Sequence, residues 1–429
     1  MKLARLACAL LMGIGLNAAT AARADFDAYL ARPEPEYRWE LKGEKDYGGT
    51  IVYDLHLVSQ VWQGIKWEHR LQLVKPKVLK HPGFVTLLNT GGSGSVEENM
   101  LASMVANATG GYFAILYNIP NQPLYGGKNE DALIVYTWQK FLETGDESWP
   151  LHFPMAKAVI KSMDALQAFA KTRQLAPLND FLITGASKRG WTTWLVGAAK
   201  DKRAKAIAPM VIDVLNVKLQ MKHQLESYGK PSEQIDDYSA GGMVELLGSK
   251  KADRLMELED PYSYRDRITM PKLIVLGTND RYWSQDSLNL YWDGLKGPKW
   301  VVYLPNSGHG LDDRGRLLAT LGAYARTIAA GALFPKMDWA FKPDSTGLGL
   351  TVSSTTASES ARLFRVFAPT RDFRDQKWTS EPMTKSGNGW TGRLDTPATG
   401  FAAMYAEVTF VKEGKPFTLT SQLQILGKK

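Results

Sequence analysis

The sequence predicts a mixed α/β fold followed by a separate all-β segment, and three observations carry that reading. From about residue 84, short apolar runs such as "FVTLLN", "YFAILYNIP", "DFLITG", "KLIVLGTND" and "KWVVYLP" recur, most of them separated by stretches with apolar residues at helical spacing. Continuous apolar strands of this kind suit a mostly parallel sheet covered on both faces. Before that point, "YRWELKGEKDYGGTIVYDLHLVSQVWQGIKWEHRLQLVKP" alternates apolar and polar residues around Gly-rich breaks, the pattern of an antiparallel meander. Beyond residue 337 the pattern changes again. "LGLTVSSTT", "ARLFRVFAP", "QKWTSEP", "GWTGRL", "GFAAMYAEVTFV" and "PFTLTSQLQIL" read as half a dozen short alternating strands, which fits a β-sandwich of immunoglobulin-like type.

Residues 1–24 stand apart. Lys2 and Arg5 give a basic start, "LACALLMGIGL" a short apolar core and "ARA", ending at Ala24, a small-x-small cleavage signal, so a secretory signal peptide is expected. Its apolar run is about half of the ~20 residues a membrane span needs, and no later stretch is long enough, so no stable membrane insertion is expected. The domain organisation read from the sequence is therefore a signal peptide over 1–24, an α/β domain over 25–336 and a β-sandwich accessory domain over 337–429. An exported protein, periplasmic or secreted, follows from that start.

Composition narrows the function. The 429 residues are 44% hydrophobic and 22% charged, the balance of a globular protein. Cys8, inside the signal, is the single cysteine, so the mature chain has no disulfide and no thiol chemistry, which excludes thiol proteases and Cys-based metal sites. Loss of Lys2, Arg5 and Arg23 with the signal lowers the formal net charge from +8 to +5. The basic residues are scattered, so nucleic-acid binding has no support. There is no H-E-x-x-H, no paired Cys and no calcium-type loop, so neither a metal nor a cofactor is expected.

Between the apolar runs, "ENMLASMVANA", "EDALIVYTWQKFLETG" and "PMAKAVIKSMDALQAFAKTRQ" have helical periodicity. Residues 214–270 form an insertion between two sheet strands, mainly helical by pattern. It reads as a cap over the carboxyl ends of the strands, the edge where open α/β sheets bind ligands.

The chemical constellation follows from chain order. A hydrolase of this sheet type needs a nucleophile after one strand, an acid after a later strand and a His after the last. Ser187 in "TGASKRGW" follows "FLITGA". Asp280 ends "KLIVLGTND", 93 residues on, and His309 in "LPNSGHG" follows "KWVVYLP", 29 residues further. Ser187 at the apex of a tight turn would present its hydroxyl to the cleft, with Gly185 and Gly190 letting strand and helix approach closely. His309 would accept its proton and Asp280 would fix the imidazole. Asp213 in "MVIDVLN" is a rival acid, and His223 in the cap is the other histidine that could meet a substrate.

The oxyanion hole is expected from the backbone N–H of Lys188 together with Gly91 and Gly92 of "LLNTGGSGS". A phosphate cradle is the other reading of that loop, but no G-K-[ST] follows it. Glu97 and Glu98 beside it could hold a cationic group such as a peptide amino terminus, or could simply start a helix. Trp191, Tyr282 and Trp283 near the motifs would suit an apolar or sugar-ring substrate, and aromatic core packing explains them equally well. Asp286 and Asp312 read as surface residues.

Taken together, "GASKRGWTTWL", "PMVIDVLN", "DPYSYRDRITMPKLIV", "PMAKAVIKSMDAL", "EDALIVYTW" and "LPNSGH" resemble the PhoPQ-activated pathogenicity-related protein family, to which the autocrine proliferation repressor proteins of amoebae also belong. The resemblance runs from about residue 27 to about 330. It implies an exported α/β-hydrolase-like protein in which Ser187, Asp280 and His309 occupy the family's triad positions. The residues after Asp280, "RYW", differ from the paired Phe expected there. The implied fold is similar to the catalytic domain of dipeptidyl-peptidases, which makes a peptidase an analogy. Glucuronoyl esterases likewise place a basic residue after the nucleophile, so Lys188 or Arg189 could meet an acidic substrate or support the oxyanion. An outward-facing pair on the first helical turn is the alternative. The function expected is an exported serine hydrolase cleaving an ester or amide bond of a small-molecule or peptide substrate through an acyl-enzyme. A catalytically silent binding or signalling protein and a uronic-acid esterase are the alternatives.

Overall fold

The computed structural model describes residues 25–427 apart from Gly248. The expected signal peptide and Cys8 lie outside the described residues. Asp25 caps a short helix, α1 (Phe26–Ala31), through its carboxylate and the Ala28 N–H. The expected meander follows as β1 (Arg38–Tyr47), β2 (Thr50–Trp62) and β3 (Ile65–Lys75), paired antiparallel in that order. After it come β4 (His81–Asn89), α2 (Val96–Thr109), β5 (Gly111–Leu116), α3 (Glu130–Thr144), α4 (His152–Thr172), β6 (Asp180–Ala186), α5 (Lys188–Ala198) and β7 (Ala204–Met210). The insertion supplies α6 (Val217–Tyr228), α7 (Asp236–Ala240), α8 (Met243–Leu246) and α9 (Lys250–Glu259). Then β8 (Lys272–Gly277), β9 (Lys299–Leu304) and α10 (Arg314–Ala329) complete the α/β part.

The sheet order is β1-β2-β3-β5-β4-β6-β7-β8-β9, with β4 through β9 parallel and β3 running antiparallel to β5. All six residues of β5 and of β8 are buried, which is why, Lys272 at the start of β8 apart, their sequences are apolar runs. Helices α4 and α5 lie against one face with Phe169, Leu195 and Val196 in the core, while Tyr324 of α10 is buried on the other.

The carboxyl-terminal segment contains β10 (Met337–Pro343), β11 (Gly347–Ser354), β12 (Ser360–Ala368), β13 (Thr379–Pro382), β14 (Thr384–Ser386), β15 (Gly389–Asp395), β16 (Phe401–Lys412), β17 (Lys415–Thr420) and β18 (Gln424–Gly427). They form two sheets, β10-β11-β15-β14 and β17-β16-β12-β13 with β18 on β16. Leu350, Val352 and Leu394 of the first share a core with Leu363, Met404 and Val408 of the second.

The segment is less separate than its composition suggests. β17 pairs antiparallel with β9 at Thr420 and Val301, so the second sheet continues the α/β sheet edge to edge. The Thr420 hydroxyl accepts from the Tyr303 N–H and donates to the Val301 carbonyl. One apolar cluster runs from Val275 and Val302 through Tyr324 and Phe334 to Leu363 and Phe417. Phe334 and Phe417 stack with ring centroids 4.8 Å apart.

Candidate active site

β6 ends at Ala186 and α5 begins at Lys188, so a single residue, Ser187, makes the reversal. It sits at φ 57°, ψ −129°, a conformation that L-residues adopt only under constraint. The constraint is visible. The Ser187 N–H donates to the Met210 carbonyl of β7 at 2.9 Å, and the Ser187 carbonyl accepts from the Trp191 N–H at 3.0 Å. The expected close approaches at Gly185 and Gly190 are present. A Cβ on Gly185 would lie 2.7 Å from the Arg189 carbonyl oxygen, and one on Gly190 would lie 2.8 Å from both the Met210 carbonyl oxygen and Ile212 Cγ2. Gly190→Ala is therefore expected to lower stability by about 1–3 kcal/mol, since strand and helix must separate. Thermal unfolding beside wild type checks it; an unchanged Tm would mean the turn is looser than described.

The acid and the base meet. His309 Nδ1 lies 2.9 Å from Asp280 Oδ2, and Asp280 Oδ1 accepts from the Tyr282 N–H at 3.0 Å. The Tyr282 ring stacks on the imidazole, with centroids 4.3 Å apart and planes inclined by 33°. His309 Nε2 is buried and unpartnered. Ser187 and His309 line the same cavity. Its walls are mostly apolar, with Trp138, Trp191, Val217, Met221, Ile235 and Met243 among them. Met221, Ile235 and Met243 come from the 214–270 insertion, which thus forms part of the cavity wall. Among the described residues, no group of three His, Cys, Asp or Glu side chains is placed to hold a metal ion.

Residues 26–374 match the family described as PhoPQ-activated pathogenicity-related protein. The chain belongs to that family. Autocrine proliferation repressor protein A of Dictyostelium discoideum is 30% identical over 426 residues, covering 90% of this chain and 85% of its own length. Among solved structures, the acetyl xylan esterase from Paenibacillus sp. R4 is similar at a TM-score of 0.48 and 14% identity, covering 70% of this chain and 95% of that one. An S-formylglutathione hydrolase from Agrobacterium tumefaciens is similar at a TM-score of 0.42 and 15% identity, covering 68% and 96%.

Several readings of this PhoPQ-related chain change once the side chains are placed. Lys188 and Arg189 are buried at 6% and 8% exposure, not outward-facing. Lys188 Nζ lies 2.7 Å from Glu130 Oε2 and 3.3 Å from Asp131 Oδ1, and Arg189 makes two hydrogen bonds to the Glu130 carboxylate at 2.6 and 2.7 Å. Burial pushes the Glu130 carboxyl up, but the hydrogen bonds and charges of Arg189 and Lys188 outweigh it and hold that carboxyl well below the usual range. The cations after Ser187 are thus engaged within the protein. Glu130 and Asp131 read from the sequence only as a helix start, because nothing local in "EDALIVYTW" marks them as partners of residues 57–59 positions away.

Gly91 and Gly92 do not line the cavity, whereas Lys188 does. A Cβ on Gly91 would overlap the Arg189 guanidinium, so that glycine makes room for Arg189. The Gly92 carbonyl accepts from the Asn118 N–H at 2.9 Å. Glu97 is exposed in the first turn of α2. Glu98 closes a capping box with Ser95, its carboxylate taking the Ser95 N–H at 2.8 Å while the Ser95 hydroxyl takes its N–H at 3.2 Å. Neither Glu lines the cavity, so the pair serves the helix start. Trp191, Tyr282 and Trp283 do line it. Asp286, read as a surface residue, is buried between His223 at 2.6 Å and Arg371 at 2.7 Å.

Asp213, the rival acid, makes no hydrogen bond or ion pair to His309, whose carboxylate partner is Asp280. Burial pushes the Asp213 carboxyl up to about 8, with the nearby Asp280 and Asp286 charges adding to the effect. Between its ordinary value of 3.8 and about 8, the folded chain holds a proton that the unfolded chain has released. This group therefore costs stability progressively as pH rises through that window, at most about 1.4 kcal/mol per pH unit. Asp213→Asn is expected to match wild type near pH 4 and to exceed it in Tm near pH 9. Parallel melting curves at both pH values would contradict the assignment.

Proposed function

We propose that the chain is an exported serine hydrolase in which Ser187 attacks an ester, His309 takes its proton and passes it to the leaving group, and Asp280 holds the imidazole. The observation that carries this reading is His309 Nδ1 on Asp280 in the wall of the cavity that Ser187 also lines. The strained Ser187 turn supports it, as does the sheet order, in which β4 and β5 exchange places as in α/β-hydrolase sheets. Attack on the carbonyl carbon forms the Ser187 Oγ–acyl bond through an oxyanion, which the Lys188 N–H, free of an intrahelical acceptor at the start of α5, is positioned in sequence to meet. Departure of the alcohol leaves the acyl-enzyme, and water activated by His309 releases the acid.

The apolar walls favour an uncharged acyl or alkyl group. A substrate anion would compete with Glu130 and Asp131 for Lys188, and a substrate cation would compete with Lys188 and Arg189 for those acids. Uncharged esters are thus preferred over uronates and over peptides with a free amino terminus. We read the carboxyl-terminal segment as an immunoglobulin-like sandwich. Its orders, β10-β11-β15-β14 and β17-β16-β12, correspond to strands A-B-E-D and G-F-C of that topology.

The test is labelling of the purified protein with a fluorophosphonate, together with hydrolysis of uncharged p-nitrophenyl esters. Labelling and turnover are expected. Folded protein that resists both would sink the hydrolase reading. A catalytically silent binding protein would then stand in its place, the reading that the unpartnered His309 Nε2 and the relative's name as a proliferation repressor favour.

A further inference from the structure

Asp280 and His309 lie on two separate loops, after β8 and after β9, at the open edge of the sheet. Loops of this kind are mobile unless something outside them fixes their backbone. Here the fixing element comes from the carboxyl-terminal segment: residues 371–378, within the connection between β12 and β13.

The contacts fall on the neighbours of the acid and the base. Asn279, next to Asp280, donates through Nδ2 to the carbonyls of Arg374 at 3.1 Å and Gln376 at 2.8 Å. Arg281, on the other side of Asp280, pairs with Asp375 at 2.5 Å and with Glu233 of the cap at 2.6 Å. Asn306, three residues before His309, makes a reciprocal pair with the Trp378 backbone. Its Oδ1 takes the Trp378 N–H at 2.7 Å, and its Nδ2 donates to the Trp378 carbonyl at 3.1 Å. The two loops are also tied to each other. The Asn279 N–H donates to the Ser307 carbonyl at 2.9 Å, and the Thr278 hydroxyl takes the Asn306 N–H at 2.8 Å.

The segment is itself anchored. Phe373 and Trp378 are buried at 0% and 2% exposure. Arg374 lies with its guanidinium 4.0 Å from the Tyr228 ring centroid and 3.0 Å from Glu233, both in the cap region, and Arg371 holds Asp286.

We propose that residues 371–378 are a positioning strap for the acid–base pair, so that the carboxyl-terminal segment is a working part of the active site rather than an accessory. The proposal rests on the hydrolase reading for its catalytic consequence, but its structural content is independent of that reading. The strap holds the Asp280 and His309 loops in one register with backbone-directed hydrogen bonds, which fix position more tightly than apolar contact would. Displacing a reacting group by about 1 Å costs on the order of 100-fold in rate.

The experiment uses the full chain with Asn279→Ala and Asn306→Gly. Asn306 sits at φ 55°, and glycine keeps that backbone open while deleting both bonds to Trp378. Each variant is expected to lower kcat by about 10–100-fold with KM within about 3-fold. The acidic limb of the kcat/KM profile should move as well, because the imidazole loses its fixed carboxylate. Asn279→Gln, which keeps an amide donor for the Arg374 and Gln376 carbonyls, should recover part of the rate that Asn279→Ala loses. Unchanged kcat, or a loss shared equally by Asn279→Gln and Asn279→Ala, would overturn the proposal.

Amide hydrogen exchange supplies a readout that needs no substrate. Faster exchange in 277–282 and 305–311, with β6 unaffected, is expected in both variants. If wild type proves inert toward every ester and probe, the hydrolase reading fails, and exchange alone decides the strap. Unaltered protection of those two loops would then refute it.

Discussion

Ser187→Ala is expected to abolish fluorophosphonate labelling and to lower kcat on any ester the protein turns over by roughly 10⁴–10⁶-fold, with unchanged folding. The magnitude follows from the unit in which Ser187 sits. Its backbone is held at φ 57° by Met210 and Trp191 on either side, so removal of Oγ leaves the turn intact and deletes only the nucleophile. His309→Ala should cost about as much, since the two act together, and the double variant should cost little more than either alone. Asp280→Asn should lose on the order of 10⁴-fold, because the wrong imidazole tautomer is then favoured. Asp213→Asn sets the contrast. Asp213 makes no hydrogen bond to His309, so its replacement should leave kcat within about 3-fold of wild type while altering the pH dependence of stability. A Ser187→Ala protein that still labels would place the reactive group elsewhere.

The triad candidates were legible because each depends on chain order and strand context, which are local properties of a sequence. Ser187, Asp280 and His309 each follow an apolar strand, and Asp280 and His309 do come together. The pairing of Lys188 and Arg189 with Glu130 and Asp131 was not legible, since it joins two helix starts whose proximity depends on the β5-β4-β6 order. For the same reason the role of Glu98 was half readable. Ser95 and Glu98 carry a capping box in their spacing alone, whereas the distance of Glu97 and Glu98 from the cavity is a tertiary fact. The carboxyl-terminal strands show their alternation, but β10 and β14 fall outside the runs that the pattern marks, and "PFTLTSQLQIL" divides into β17 and β18 at Ser421–Leu423. Nothing in that alternation reveals that β17 would extend the α/β sheet. An edge pairing between Thr420 and Val301 leaves no periodic mark.

His152→Ala should lower the unfolding free energy by about 3–5 kcal/mol, the largest stability effect expected outside the core aliphatics. His152 opens α4 and Glu259 closes α9, and both are at 0% exposure with His152 Nδ1 2.5 Å from Glu259 Oε2. The imidazole stacks on Trp191 with centroids 4.6 Å apart, and the Trp191 indole N–H donates to the Glu259 carbonyl at 2.6 Å. Removing the imidazole leaves a buried carboxylate with no counter-group, which is the costly half of breaking a buried pair. The pair as a whole is a different matter. Replacing it with His152→Phe and Glu259→Leu preserves volume and the stack on Trp191 while removing both desolvated polar groups, so the double variant should recover most of the loss. His152→Phe and Glu259→Leu, made singly and together and measured by chemical denaturation, complete a cycle whose coupling isolates the pair. Strong coupling would identify this contact as what fastens the cap's last helix, α9, to the start of α4. Additive losses would mean instead that the two side chains stabilise α4 and α9 separately, and that the cap is held by its apolar contacts alone.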